Sequence, residues 1–308
     1  MVCFNNLLRR FFIRLIIVFT LILLNSAMTD AQRKAQEGAN LESGRAKTIL
    51  PPGPAKEIRI VSYNIRWRSG KELQQIVDWL KASGAPAPTI IGLQEVDRAK
   101  KRSGHENHAK ALAENLGMHY AWAGPDGPPK DRRKMKEEES GVEILSAYPL
   151  GDITRLVLTT DGPGGRSRVA LGATIKIGDT AIRIYTIHGE TRLPLWQKPD
   201  QWRVVLDDLA RFPKNIPAIG LGDFNTWELP AIDQVRKLFT NAGFTTPLPD
   251  DEPTFARRVL GFDMKLKLDW IWLRGLKPQS YGIDRSLKVS DHFPLWTVVT
   301  LADPPSRP

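Results

Sequence analysis

Glu95 stands at the end of the hydrophobic strand Ile90-Ile91-Gly92-Leu93, after Gln94. A carboxylate there is either a solvated strand end or an oxygen ligand for a hard cation such as Mg2+, which takes carboxylate oxygen and keeps several waters. In Gly220-Leu221-Gly222-Asp223-Phe224-Asn225 the acid and the amide lie two residues apart, so an extended backbone turns both to one face. Such a pair can orient a water and hold a phosphate oxygen; an Asx-rich turn is the plainer reading. In Val289-Ser290-Asp291-His292-Phe293 a histidine beside an aspartate precedes a terminal apolar run. That imidazole suits a general base or a donor that stabilises a pentacovalent phosphate. Asp269 heads Asp269-Trp270-Ile271-Trp272-Leu273, where Asp269, Ile271 and Leu273 share one face and the tryptophans the other. From there it can hold the His292 imidazole in one tautomer. His188 closes the alternating run Ile184-Tyr185-Thr186-Ile187, and either meets a phosphate oxygen or caps its strand.

The elements that must position these groups are short. Strands are expected at 58–63, 89–94, 142–146, 168–177, 181–188, 218–222, 267–273 and 295–301, and helices at 72–81, 105–116, 196–210 and 229–242. The turn Gly178-Asp179 between two apolar runs is a hairpin signal. Strands mixed with helices point to a layered α/β fold. Asn64, Glu95, His188, Asp223 and Asn225 all sit just past apolar runs, so strand ends feeding one rim would gather them.

Taken together and in this order, the motifs resemble the endonuclease/exonuclease/phosphatase superfamily, which includes DNase I-like nucleases, abasic-site endonucleases, sphingomyelinases and inositol-polyphosphate phosphatases. The resemblance runs from Ile58 to about Leu301. It rests on Ser62-Tyr63-Asn64, Leu93-Gln94-Glu95-Val96, Ile144-Leu145-Ser146, the His188 strand, Gly222-Asp223-Phe224-Asn225, Leu268-Asp269-Trp270-Ile271 and Ser290-Asp291-His292. It implies a DNase I-like four-layer α/β/β/α sandwich with two packed mixed sheets. It also implies a Mg2+- or Mn2+-dependent hydrolase of phosphate esters. Glu95 would be the main metal ligand, with Asn64 and Asp291 near the metal. Asp223 would align or deprotonate the attacking water, and Asn225 would help place water and phosphate. Asp269 would pair with His292, which meets the phosphate, and His188 would bind a phosphate oxygen from the other side. Gly141-Val142-Glu143 and His188-Gly189-Glu190 depart from the sequences many members carry. Either Glu139 or Glu143 is a candidate support for His188, as an acidic partner is in DNase I-like members.

The chain has 308 residues and a formal net charge of +10. Arg9, Arg10 and Arg14 flank an apolar run to Leu24, followed by small residues. This is expected to be a signal peptide over residues 1–31, and hence an exported protein, periplasmic or extracellular. Cys3, the one cysteine, lies within it, so the mature chain has no disulfide and no thiolate nucleophile. Residues 32–56 read as a flexible linker, 57–302 as the domain and 303–308 as a disordered tail. The mature chain is expected to be a monomer without stable membrane insertion. Basic clusters at 98–102 and 130–136, with a pI near 9.7, point to nucleic acid as partner. Trp67 and Trp227 are placed either to stack bases or to fill the core rim. A nuclease acting on DNA or RNA is thus the leading expectation. The rival readings are a sphingomyelinase-like or inositol-phosphate phosphoesterase, or a silent binding domain. No apolar hairpin for membrane contact is legible in the sequence.

Overall fold

The computed structural model describes residues 40–50, 57–82, 87–125, 139–163, 165 and 167–301. The expected signal peptide, the tail and the 130–136 cluster lie outside them, as do residues 32–39 and 51–56 of the expected linker.

A seven-stranded sheet holds β1 (Leu41–Arg45), β2 (Glu57–Asn64), β3 (Pro88–Arg98), β4 (His119–Ala123), β5 (Glu139–Ser146), β13 (Lys277–Ile283) and β14 (Leu295–Thr300), in the order β1-β4-β5-β3-β2-β14-β13. A five-stranded sheet holds β6 (Gly151–Val157), β7 (Val169–Ile177), β8 (Thr180–His188), β9 (Ala218–Asp223) and β12 (Asp269–Arg274), in the order β12-β9-β8-β7-β6. Each sheet is mixed: β2 runs parallel to β3 and β8 to β9, and the other pairs are antiparallel. Strands β10 (Phe255–Val259) and β11 (Phe262–Leu266) form a separate hairpin.

Three apolar layers separate four structural ones. Ile58, Ile60 and Ile90 of one sheet meet Leu171, Ile184, Leu221 and Ile271 of the other between the sheets. Helices α1 (Gly70–Ala82) and α2 (His108–Leu116) cover the seven-stranded sheet through Ile76, Leu80, Leu112 and Leu93. Helices α3 (Lys198–Leu209) and α4 (Leu229–Asn241) cover the other through Trp202, Phe239, Tyr185, Trp270 and Trp272. This is the expected α/β/β/α sandwich with two mixed sheets.

Three expectations change. Residues 41–45, taken as linker, form an edge strand: Leu41 pairs with Ala123 and Arg45 with His119. Backbone pairing to an open edge needs no apolar pattern, so a polar segment can do it. The helix expected from His105 begins at His108. Gly104 and His105 are left-handed, and the Asn107 side chain caps the helix by accepting from the Lys110 N–H. Finally, an apolar hairpin does exist. In β10–β11, Leu260 is 94% and Phe262 79% exposed.

Candidate active site

Strand periodicity delivers the site. In β2, Ile58 and Ile60 face the other sheet, so Asn64 does too. In β8 the inward residues Ile182 and Ile184 lead to His188; in β9 Ile219 and Leu221 lead to Asp223; in β12 Asp269 is followed by inward Ile271 and Leu273. Register completes the row. His188 pairs with Asp223, and Asp223 with Asp269, across three neighbouring strands. Gly222, just before Asp223, has φ +130°, and a Cβ there would lie 2.1 Å from the Ile187 carbonyl oxygen, so no side chain fits.

Glu95 arrives differently. Simple alternation after inward Gln94 would turn it toward the helices. A β-bulge between Gln94 and Val96, with Glu95 at φ +57°, puts Val96 into the helix-side core and frees Glu95 for the rim. A bulky residue in the left-handed region costs on the order of 1–3 kcal/mol, and such strain concentrates at functional sites.

The Asn64 amide donates to Glu95 Oε1 (3.3 Å) and to Asp223 Oδ2 (3.1 Å), and its oxygen accepts the Arg66 N–H. Asp223 Oδ1 accepts the Asn225 N–H at 2.9 Å, and the Asn225 amide donates to the Gly189 carbonyl. Asn225 itself is left-handed, at φ +52°. The buried Lys198 ammonium donates to the Asn225 carbonyl at 2.8 Å. Burial lowers the pKa of Lys198, with Glu228, Asp223 and Glu190 opposing.

Two imidazoles close on Asp223. His188 Nε2 lies 3.6 Å and His292 Nε2 3.8 Å from Asp223 Oδ2, and His188 Nε2 is 3.9 Å from Glu95 Oε1. His292 Nδ1 is 2.9 Å from Asp269 Oδ2. That carboxylate also accepts the Thr254 hydroxyl at 2.7 Å. Burial alone would favour neutral His292, but Asp269 and Asp223 outweigh it and push its pKa up to about 10. Burial raises Asp223, with His292 opposing and Asp269 adding, to about 7.

Of the two candidate supports of His188, Glu143 is corrected, and the side chain of Glu139 lies outside the described residues. Glu143 is buried on the helix side of β5, neither carboxylate oxygen has a hydrogen-bond partner among the described residues, and burial with Glu42 nearby holds it well above the usual carboxylate range. Its position follows from alternation with the inward-facing Val142 and Ile144. Instead the Arg168 guanidinium contacts His188 Nδ1 at 3.2 Å and is itself paired with Glu190 at 3.1 Å. A guanidinium only donates, so Nδ1 accepts and the proton sits on Nε2, toward Asp223 and Glu95. Asp291 is at the rim, with its carboxylate paired to Arg66 at 3.1 Å. Arg66, Arg168, Lys198 and Thr254 escape a motif reading, and Glu190 shows in the sequence only as part of the unusual His188-Gly189-Glu190.

A hard divalent cation fits these donors. Glu95 offers a carboxylate partly open to solvent, the Asp291 carboxylate and the Asn64 amide oxygen are each engaged by Arg66, and no cysteine lies among the described residues. Asp223, Asp269 and His292 form a second, fully buried group of suitable ligand types. The His292–Asp269 hydrogen bond already occupies two of its members, so the Glu95 side is the better fit.

Of the basic segment 98–102, Arg98 pairs with Glu42 and lies over Trp122, and Arg102 pairs with Asp97 and lies 4.2 Å over Trp67. One face of Trp67 is thereby covered, whereas Trp227 is 47% exposed.

Two mixed sheets back to back, with carboxylate, amide and imidazole groups at one rim, define a hydrolase of phosphate esters. The sequence matches the model of the Endonuclease/Exonuclease/phosphatase family over residues 61–292, and the chain belongs to that family, whose members depend on a divalent metal. No curated protein matches the sequence. Among solved structures, a family protein from Leptotrichia buccalis is 19% identical, covering 79% of this chain and 100% of its own, with TM-score 0.62. The human Nocturnin catalytic domain is 19% identical, covering 85% and 97%, with TM-score 0.60. A mannosyl-6-phosphatase from Bacteroides thetaiotaomicron is 17% identical, covering 79% and 100%, with TM-score 0.59. These likenesses concern the fold. No helix among the described residues is long and apolar enough to cross a membrane.

Proposed function

We propose that this protein is an exported phosphodiesterase using Mg2+ or Mn2+, with DNA or RNA as the leading substrate. The observation that carries the chemistry is the convergence of His188 Nε2 and His292 Nε2 on Asp223 within 4 Å, beside Glu95. Asp223 aligns a water and takes its proton as the water oxygen bonds to phosphorus and the ester P–O bond breaks. Asn225 fixes the Asp223 carboxylate by donating its backbone N–H. His292, held protonated by Asp269, and the Nε2–H of His188 donate to phosphoryl oxygens as charge builds there. A divalent cation held by Glu95, with Asn64 and Asp291 nearby, would neutralise phosphate oxygens and stabilise the leaving oxygen.

The nucleic-acid reading is supported by the net charge, +10 for the whole chain and 10 − 2 = +8 without residues 1–31, and by exposed Trp227 two residues beyond Asn225. Its test is a panel of plasmid DNA, RNA, sphingomyelin and inositol phosphates with Mg2+, Mn2+ or EDTA. Metal-dependent loss of DNA or RNA, abolished by EDTA and strongly reduced in Glu95→Ala and His292→Ala, is expected. Full activity in those variants would overturn the mechanism. Turnover of only the lipid or the inositol phosphates would overturn the substrate.

A further inference from the structure

The β10–β11 hairpin spends stability in two ways that folding does not require. Its register, Val259 opposite Phe262, leaves the two-residue turn Leu260-Gly261, with φ +48° and +88°. Positive φ at both positions is the type I′ pattern, which Asn-Gly or Asp-Gly fills readily and a leucine does not. That strained leucine is also 94% exposed. Neither its conformation nor its exposure contributes to the core.

Directly opposed residues share a face of an antiparallel pair. One face of this ribbon therefore carries Phe255/Leu266, Arg257/Met264 and Val259/Phe262, and the other Ala256/Lys265 and Arg258/Asp263. Along its length the ribbon is zoned. The tip is Val259, Leu260, Gly261 and Phe262, all without charge. Behind it come Arg257, Arg258 and Lys265 against the one acid, Asp263. Apolar first and cationic second is the order of an anionic bilayer met from outside, hydrocarbon below and phosphate headgroups above. Three of the four tip residues are aliphatic or glycine, so the tip matches hydrocarbon better than stacked bases.

At its base the hairpin joins the active site. Phe255 bridges to His292 and packs edge-to-face on its ring, centroids 5.0 Å apart, and Thr254 holds Asp269. Four residues of extended strand set the tip roughly 14 Å beyond that base. A tip sunk about 5–10 Å into the interface would leave the catalytic rim just above the headgroups.

We infer that the β10–β11 hairpin docks this protein on anionic lipid surfaces, with Val259, Leu260 and Phe262 entering the apolar layer and Arg257, Arg258 and Lys265 facing the headgroups. The inference does not depend on which phosphate ester is cleaved.

The test uses the full chain and vesicles of phosphatidylcholine, alone or mixed with phosphatidylserine. Leu260→Asn combined with Phe262→Ser should lower partitioning onto the mixed vesicles by about tenfold or more, since two apolar side chains leave the interface. Turnover of a small soluble phosphodiester should be unchanged, which certifies the fold. Arg257→Gln with Arg258→Gln should remove most of the preference for the anionic vesicles. The N-terminal apolar run is common to all these chains, so a local readout is added. An environment-sensitive fluorophore on Leu260→Cys, in a Cys3→Ser background, should shift to the blue with mixed vesicles. No shift overturns the inference. So does a hairpin variant that loses affinity for duplex DNA while the probe ignores vesicles, which would make the hairpin a nucleic-acid wedge.

Discussion

The side-chain amide of Asn64 donates to the Asp223 carboxylate at 3.1 Å, tying a strand end of the seven-stranded sheet to a strand end of the five-stranded one. The same amide reaches Glu95, so one neutral donor separates two carboxylates. Removing it in Asn64→Ala leaves them facing each other, and a fall of about 10–100-fold in metal affinity and activity is expected. Asn64→Asp puts a third carboxylate beside Glu95 and Asp223, so it should keep or strengthen Mn2+ binding while lowering activity, because Asp223 becomes harder to ionise. Mn2+ titration calorimetry with turnover separates the two variants, and wild-type affinity and activity in Asn64→Ala would count against the assignment.

Asp269 is buried and spends its carboxylate on His292 and Thr254. Asp269→Asn keeps the shape but removes the charge that holds His292 protonated. A loss of about 10²–10⁴-fold in kcat/KM is expected, the range of a lost acid or base function. Thr254→Val should cost less, because the His292 contact survives.

These groups also set a pH dependence. Activity needs Asp223 ionised and His292 protonated. A bell-shaped kcat/KM profile is therefore expected, rising as Asp223 ionises and falling as His292 loses its proton, with the acid limb moved below the metal-free value of about 7 by the bound cation. In the metal-free protein, His292 is more basic folded than unfolded, where it titrates at about 6.5. Its contribution to stability is complete below that pH and is lost as pH rises through about 10. Asp269→Asn should move both the alkaline limb of the rate profile and this loss of stability to lower pH. Melting curves across the range check it.

Gly222→Ala places a methyl group against the Ile187 carbonyl and in a backbone conformation that alanine resists. A destabilisation of about 1–3 kcal/mol is expected, with most activity lost because Asp223 is the next residue. Chemical denaturation and turnover should fall together; a stable, active variant would show that this strand end is not rigidly set.

Leu260→Asn relieves the strained hairpin turn. Amide hydrogen exchange across Phe255–Leu266 should slow by about fivefold or more, matching the roughly 1–2 kcal/mol cost of a left-handed non-glycine residue. Faster exchange would mean that Leu260 is held by contacts rather than strained.

The sequence by itself determined the strands that carry the chemistry and which of their residues face inward. Two-residue periodicity fixed Asn64, His188, Asp223 and Asp269 relative to Ile60, Ile184, Leu221 and Ile271, a local property of each run. The motif order fixed the family. Tertiary structure alone decided the rest. Glu95 reaches the rim through a bulge, which depends on how β3 pairs with β5. Arg168 supports His188 where Glu143 was a candidate, because β5 turns Glu143 to the helices. Thr254 meets Asp269 only because a hairpin folds back between them. That hairpin's alternating side chains read the same in sequence whether its apolar face is buried or bare. Periodicity reports a face, and only the packing of other elements decides what covers it.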